Sequence, residues 1–319
     1  MGRHCLPIIL PLLLLQLGVF LLPARAAEHF RVASYNLENY LLEPVGTRPA
    51  KTSEARAAIR ATVRELHADI LAVQEIGSAA ALEELRGALR QEGIDYRYHE
   101  LAWGHDTNIA VAILSRHPIT ARRSLTNASF LLLGRRHFLN RAFVEVDVRV
   151  RPDYSVTVIA AHLKSRRTAV EADESELREQ EAILLRERVE GRLAANPKLN
   201  LVVLGDLNDT RDTRPIRTLL GRAGPLSLID TRPSECATGG GAPSGEGRPI
   251  AWTHYYAKED TYSRIDYLLI SRGLYHEWVR EGSCIPRLPG WGIASDHRPV
   301  VAEFSADDSG PGPAAPERR

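Results

Sequence analysis

Sulfur is scarce in this chain. Its 319 residues include three cysteines and one methionine, with no CxxC pair and no cysteine and histidine ladder, so the makings of a structural zinc site are missing. Charge of one sign is missing too: 41 Lys and Arg stand against 40 Asp and Glu, so any affinity for a polyanion must be local. No internal repeat recurs, and no linker divides the chain. With 44% hydrophobic and 25% charged residues, disordered, fibrous and multi-span membrane classes are excluded. A chain of this length buries roughly 70 to 75% of its unfolded surface, so it does not depend on disulfides or metal to hold a core.

The first segment stands outside the fold. Arg3 and His4 lead into an apolar run from Leu6 to Leu22, followed by Pro23-Ala24-Arg25-Ala26-Ala27. A basic start, apolar middle and small-x-small end predict a secretory signal peptide over 1–26, cut after Ala26. The alternative is an uncleaved anchor, because the run is nearly long enough to span a bilayer. Either way the expected location is secreted or periplasmic. Cleavage leaves 39 basic residues against 40 acidic, a net charge of −1, and removes Cys5. Cys236 and Cys284 then remain, and the sequence leaves open whether they pair or stay as two small hydrophobes.

From Phe30 onward short apolar runs alternate with amphipathic stretches, an α/β or α+β layout. Strands are expected at Arg31–Ser34, Ile70–Val73, Ile109–Leu114, Ala142–Val150, Val156–Ala161, Leu201–Leu204, Tyr267–Ile270 and Val300–Phe304. Val144, Val146, Val148 and Val150 alternate with Glu145, Asp147 and Arg149, predicting a strand with one wet face. Pro152 and Asp153 supply a turn to the next run, so a hairpin is expected there. Helices are expected over Ser53–His67 and Ser78–Gln91, capped by Ser53 and Ser78. A third runs through Leu177, Leu184 and Leu193, its many Glu and Arg read as a solvated face. The glycines between Pro233 and Pro249 predict a flexible loop, Arg122–Arg136 a long connection, and 305–319 a disordered tail behind one domain over 27–304.

Polar residues fall at the ends of the apolar runs. Asn36 and Glu38 follow the first, Glu75 the second, His162 the fifth, and Asp206 and Asn208 the sixth; Asp266 and Asp296-His297 precede the last two. If those last strands run antiparallel to the others, all these groups share one edge. Four carboxylates there repel one another, and a bound cation relieves the conflict. Oxygen donors without cysteine select a hard ion, Mg²⁺ first and Mn²⁺ or Ca²⁺ next. Such an ion with two histidines, an asparagine and nearby arginines suits phosphoester hydrolysis.

Six segments carry a resemblance: Ser34-Tyr35-Asn36-Leu37-Glu38, Val73-Gln74-Glu75, Ala161-His162-Leu163-Lys164-Ser165, Gly205-Asp206-Leu207-Asn208, Arg264-Ile265-Asp266-Tyr267 and Ser295-Asp296-His297-Arg298-Pro299. In order and spacing they resemble the endonuclease/exonuclease/phosphatase superfamily over about Phe30–Phe304. The resemblance implies a four-layer α/β (α+β) sandwich: two mixed, mostly antiparallel β-sheets face to face, with helices outside. It implies a metal-dependent phosphodiesterase with Asn36, Glu75 and Asp296 on the metal. Asp206 would orient or deprotonate water, and Asn208 would hold phosphate or nucleophile. His297 would contact phosphate with Asp266 as its partner, and His162 would be a second phosphate histidine. Glu38 is either a support for the site or a helix-start acid. His67, His99 and His105 have no motif around them and read as surface or structural; Trp252, Trp278 and Trp291 read as core or loop anchors.

Substrate class rests on less. Arg141, Lys164 and Arg166 adjoin the motifs and are expected to engage a neighbouring phosphate. The His-Leu-Lys-Ser form is similar to that of secreted bacterial nucleases, which implies a sequence-nonspecific DNA nuclease. A phosphatase or a sphingomyelinase-like phospholipid phosphodiesterase is the alternative on the same fold, and a catalytically silent binding module the alternative outside catalysis. No exposed aromatic hairpin is evident, although Trp252–Tyr256 and Trp291 keep the lipid reading open. No protein partner is implied, and a monomer is expected.

Overall fold

The computed structural model describes residues 29–167, 172–236 and 249–307. The segment read as a signal peptide, the glycines from Gly239 to Gly247 and the tail beyond Asp307 lie outside the described residues. In chain order the elements are β1 (His29–Tyr40), α1 (Ser53–Leu66), β2 (Ile70–Ile76), α2 (Ala79–Gln91), β3 (Tyr98–Ala102), β4 (Ala110–Ser115), β5 (Ile119–Arg122), β6 (Ser129–Leu132), β7 (Arg135–Phe138), β8 (Val144–Arg151) and β9 (Tyr154–His162). They continue with α3 (Glu174–Ala195), β10 (Leu201–Asp206), α4 (Arg214–Leu220), β11 (Ile229–Asp230), β12 (Ser234–Cys236), β13 (His254–Tyr256), β14 (Thr261–Ser263), β15 (Asp266–Ile270), β16 (Trp278–Pro286), α5 (Trp291–Ala294) and β17 (Val300–Ser305).

One sheet has the order β12-β16-β17-β1-β2-β4-β3 and the other β11-β15-β10-β9-β8-β5. Inward residues of both sheets, such as Val32, Ile70 and Ile113 from the first and Val146, Val158 and Leu268 from the second, make the central core. The outer face of the first sheet packs Tyr35, Leu71 and Val73 against Ile59, Val63 and Leu82 of α1 and α2. That of the second packs Ile159, Leu201 and Val203 against Leu185, Val189 and Ile216 of α3 and α4. The four-layer sandwich is therefore present. Its helices lie outside because sheet strands buried on both faces need an apolar cover.

Local chemistry sets the ends. Thr52 rather than Ser53 caps α1, its hydroxyl accepting from the Ala55 N–H at 3.1 Å. Ser78 caps α2 as expected, accepting from Ala81 at 3.0 Å. The β8–β9 hairpin forms with the Pro152-Asp153 turn, and the outer face of β8 is wet only toward its end, with Asp147 half-buried and Arg149 exposed but Glu145 not. Glu145 is buried there, gripped by Arg123, Arg188 and Arg192. Likewise Arg178, Glu181 and Arg186 of α3 are buried, so that helix is only partly a solvated face. A charged residue can face the core when its partner arrives with it. Cys236 on β12 and Cys284 on β16 form a disulfide. Arg122–Arg136 is not a plain connection, since it contains β6 and the start of β7.

Candidate active site

Register does most of the assembly. β9 and β10 are parallel with His162 opposite Asp206, and β15 is antiparallel to β10 with Asp266 opposite Asp206. Three functional side chains from three separated stretches thus stand side by side at one edge. In the other sheet, parallel β1 and β2 pair Asn36 with Gln74, and β17 runs antiparallel to β1. The antiparallel placement of β15 and β17 brings Asp266 and Asp296-His297 to the same edge, as the strand-end pattern required. Gly205 is the enabling residue: its φ is +137°, and a Cβ there would lie 1.8 Å from the Ala161 carbonyl oxygen.

The backbone leaves ordinary conformations here. Glu38, Asn39, Glu75 and Asn208 have φ of 49°, 56°, 67° and 54°, costly for side-chain-bearing residues and concentrated where function needs aim. The turn at Glu75 lets its Oε2 accept from the Asn39 N–H at 2.8 Å. Asp206 is the centre. Its Oδ1 accepts from the Asn208 N–H at 2.9 Å. Its Oδ2 receives Asn36 Nδ2 at 3.0 Å and has His162 Nε2 at 3.4 Å and His297 Nε2 at 3.7 Å. Asn36 Nδ2 also approaches Glu75 Oε1 at 3.4 Å, and His162 Nε2 lies 3.9 Å from it. On the far side of the imidazole, His297 Nδ1 meets Asp266 Oδ2 at 2.8 Å.

Burial and charge divide the two histidines. Burial first, then the charges of Arg141 and His297, lower the His162 pKa well below 6.5, so it is neutral. Burial would do the same to His297, but Asp266, Asp206 and Asp296 outweigh it and push its pKa up to about 10. Burial raises the Asp206 pKa to about 7, with His297 opposing and Asp266 adding.

These residues fit a hard divalent cation. Glu75 and Asp206 converge on the Asn36 amide, whose N–H groups offset their charge as a cation would, and the donors are all oxygen. His297 belongs to two further donor groups, one with Asp206 and Asp266 and one with His254 and Asp296. Asp296, expected beside Asn36 and Glu75, is turned toward the histidines, 3.6 Å from His254 Nε2 and 3.8 Å from His297 Nε2. Burial would raise its pKa, but His254 and His297 hold it below the carboxylate range. His254 was not evident in the sequence. It stands alone in Trp252–Tyr256, and only its bridge to His297, with ring centroids 4.6 Å apart, brings it to the site.

The expected phosphate cations serve as loop braces. Arg141 donates to the Leu163 carbonyl at 3.1 Å. Lys164 Nζ donates to the carbonyls of Ser165 and Arg167, and Arg166 to the Asn208 carbonyl and Asp209. Asn208 Nδ2 also donates to Leu163, at 3.0 Å. Glu38 lies in β1 rather than at a helix start; its N–H donates to Asn36 Oδ1 at 3.0 Å and its carboxylate meets Lys51 at 3.3 Å. His67 caps α1 with φ 48°, and His105 stacks on Phe138, structural roles as read.

Solved structures with this fold are numerous. Human Nocturnin's catalytic domain is 15% identical with a TM-score of 0.58, covering 88% of this chain and 95% of that one. Sphingomyelinase C from Streptomyces griseocarneus is 18% identical with a TM-score of 0.59, covering 88% and 100%. The 3'-5' exonuclease NExo from Neisseria meningitidis is 17% identical with a TM-score of 0.57, covering 86% and 100%. No curated protein is a significant sequence match. The Endonuclease/Exonuclease/phosphatase family matches residues 33–297, which span the first five motifs, the sixth as far as His297, and every site residue above. The chain belongs to that family, whose members are metal-dependent phosphodiester hydrolases.

Proposed function

We propose that the chain is an exported, Mg²⁺-dependent phosphodiesterase that cleaves DNA without sequence preference, acting as a monomer. The carrying observation is the convergence of Asn36, His162 and His297 on one oxygen of Asp206, a residue only 2% exposed. Asn36, Glu75 and Asp206 would hold the cation, with Mn²⁺ or Ca²⁺ as substitutes. When bound, the ion supplies positive charge against the charge that develops on the phosphoryl oxygens. Asp206 orients the attacking water and takes its proton. Asn208, whose N–H already fixes Asp206 Oδ1, keeps that carboxylate aimed. Asp266 holds His297 cationic, so Nε2 donates to the phosphoryl group and, of the two histidines, is the one with a proton for the leaving oxygen. His162, neutral, contributes an Nε2–H donor.

DNA is favoured by the His-Leu-Lys-Ser form and by the DNA-directed members of the fold, among them a Neisseria 3' phosphatase bound to a product DNA hairpin. The second reading, a phospholipid diester substrate, has its own support in apolar side chains exposed on β6–β7 and β13–β14, including Leu133, Phe138 and Tyr262. Nicking of supercoiled plasmid with Mg²⁺, abolished by EDTA and by Asp206→Asn or His297→Ala, is the expected result. Release of choline phosphate from sphingomyelin without nicking would move the enzyme to lipid. Binding of either with no turnover under Mg²⁺, Mn²⁺ or Ca²⁺ would make it a silent module. Export predicts a mature protein that begins at Ala27.

A further inference from the structure

The β6–β7 hairpin belongs to neither large sheet. Its strands pair from Ser129 with Phe138 to Leu132 with Arg135, leaving a two-residue loop, Leu133-Gly134, with φ of 51° and 74°. That is the type I′ turn, which matches strand twist and keeps a short ribbon stiff. The base is fixed: the Leu139 N–H donates to the Ala128 carbonyl at 2.8 Å, and His105 stacks on Phe138 at 5.0 Å. The tip has no such cover. Leu131 is 67% exposed and Leu133 77%, while Phe138, at the base, keeps 44% despite its stacking. Two leucines projecting from the end of one stiff ribbon do not stabilise this fold, and clustered apolar exposure marks a contact surface.

The charges beside them indicate what is contacted. Ser129–Phe138 reads SFLLLGRRHF, with Arg135, Arg136 and His137 and no acid, in a chain close to neutral overall. Arg135 and Arg136 are both exposed. Leu133 leads at the turn with Arg135 beside it, and Arg136, level with Leu131 across the ribbon, reaches back to Ser129 Oγ at 2.7 Å, so apolar side chains stand foremost with a guanidinium behind them, the depth profile of a bilayer surface. Cations near an anionic leaflet add attraction that salt weakens. A nucleic acid would use the arginines but not the leucines, which have no π-face for a base. Among the described residues no helix is long and apolar enough to cross a membrane, so contact by this domain would be peripheral.

We propose that the β6–β7 hairpin docks the enzyme on anionic phospholipid surfaces, with Leu131 and Leu133 inserted and Arg135 and Arg136 at the phosphates. The proposal rests on neither choice of substrate. The full chain and its variants would be sedimented with vesicles of phosphatidylcholine alone or mixed with phosphatidylglycerol. Because all carry the same N-terminus, Leu6–Leu22 contributes equally and the hairpin is read by difference. Leu131→Ser with Leu133→Ser should weaken partition to the anionic vesicles at least ~10-fold, and Arg135→Glu with Arg136→Glu should abolish the preference for them. Hydrolysis of a small soluble phosphodiester should be unchanged in both. In a third variant, Leu133→Trp, tip fluorescence should shift to the blue on anionic vesicles and be quenched by brominated acyl chains. Unaltered partition in the serine variant, or a tip tryptophan that neither shifts nor is quenched, overturns the proposal. So does loss of DNA affinity in the variants with no vesicle effect, which would assign the hairpin to nucleic acid. Failure of DNA cleavage alone would refute the substrate reading and leave this one standing.

Discussion

Asp266→Asn tests the electrostatic core of the site. The carboxylate lies 2.8 Å from His297 Nδ1, while Asp206 and Asp296 approach Nε2 at 3.7 and 3.8 Å. Together they overcome burial and take His297 from 6.5 to about 10, a preference for the charged ring of ~5 kcal/mol at ~1.4 kcal/mol per pH unit. At an effective dielectric of about 20, a charge at Asp266's distance is worth ~6 kcal/mol before the cost of burial, and one at Asp206's distance ~4 kcal/mol. Asp296 is 40% exposed and water screens it. Asp266 is therefore the largest support, and its loss should lower the His297 pKa by at least about two pH units. The assay is kcat/KM against pH on a soluble phosphodiester at saturating Mg²⁺. The basic limb should sit at least about two pH units lower in the variant than in the native enzyme. Stability carries the same signature. A histidine whose folded-state pKa is raised stabilises fully below its unfolded value and loses that contribution as pH climbs through the folded one. The melting-temperature gap between native and variant enzyme should thus be widest at or below about pH 6 and close above about pH 10. A basic limb that stays put would refute the pairing as the source of His297's charge.

Asp206→Asn should cut kcat by about 10³-fold yet raise the melting temperature of metal-free protein at mildly alkaline pH. The raised pKa of about 7 means that the folded state resists ionising this carboxylate, so metal-free stability falls as pH rises from about 4 toward 7. Thermal scans in Mg²⁺ against EDTA should show the ion stabilising the native enzyme more than this variant. Glu181 on α3 accepts the N–H groups of Asn140 at 3.1 Å and Lys164 at 2.6 Å, tying together the two loops that flank His162. Glu181→Gln should leave KM within about twofold and lower kcat about tenfold in folded protein, since misplacement of catalytic groups acts on the chemical step; an unchanged kcat in steady-state assays would reduce Glu181 to a stability role. Gly205→Ala should prevent soluble expression or cost more than ~3 kcal/mol in denaturant titration, because the added methyl meets the Ala161 carbonyl and the φ is unfavourable.

Much of this was legible because strands announce themselves. Eight apolar runs became strands, since burial between or beneath layers demands near-continuous apolar residues. What escaped was short or half-covered: β3, β5, β11, β12, the two small hairpins and β16, whose Trp278–Pro286 mixes Arg280, Glu281 and Gly282 into the strand. Glu145 misled for the opposite reason. Its alternation with valines marks a face, and only the arrival of Arg188 and Arg192 from α3 dries that face at Glu145, while Arg149 further along stays exposed.

By itself the sequence determined the period of each strand, the motif residues at strand ends and the hard-ion character of the donors, because these depend on residue type and local spacing. The tertiary structure alone decided that three groups meet one oxygen of Asp206, that Asp296 turns to His254, that one histidine is neutral and its neighbour charged, and that Leu133 is left bare. Distance, burial and partner charge are products of packing between segments far apart along the chain, and no local pattern encodes them.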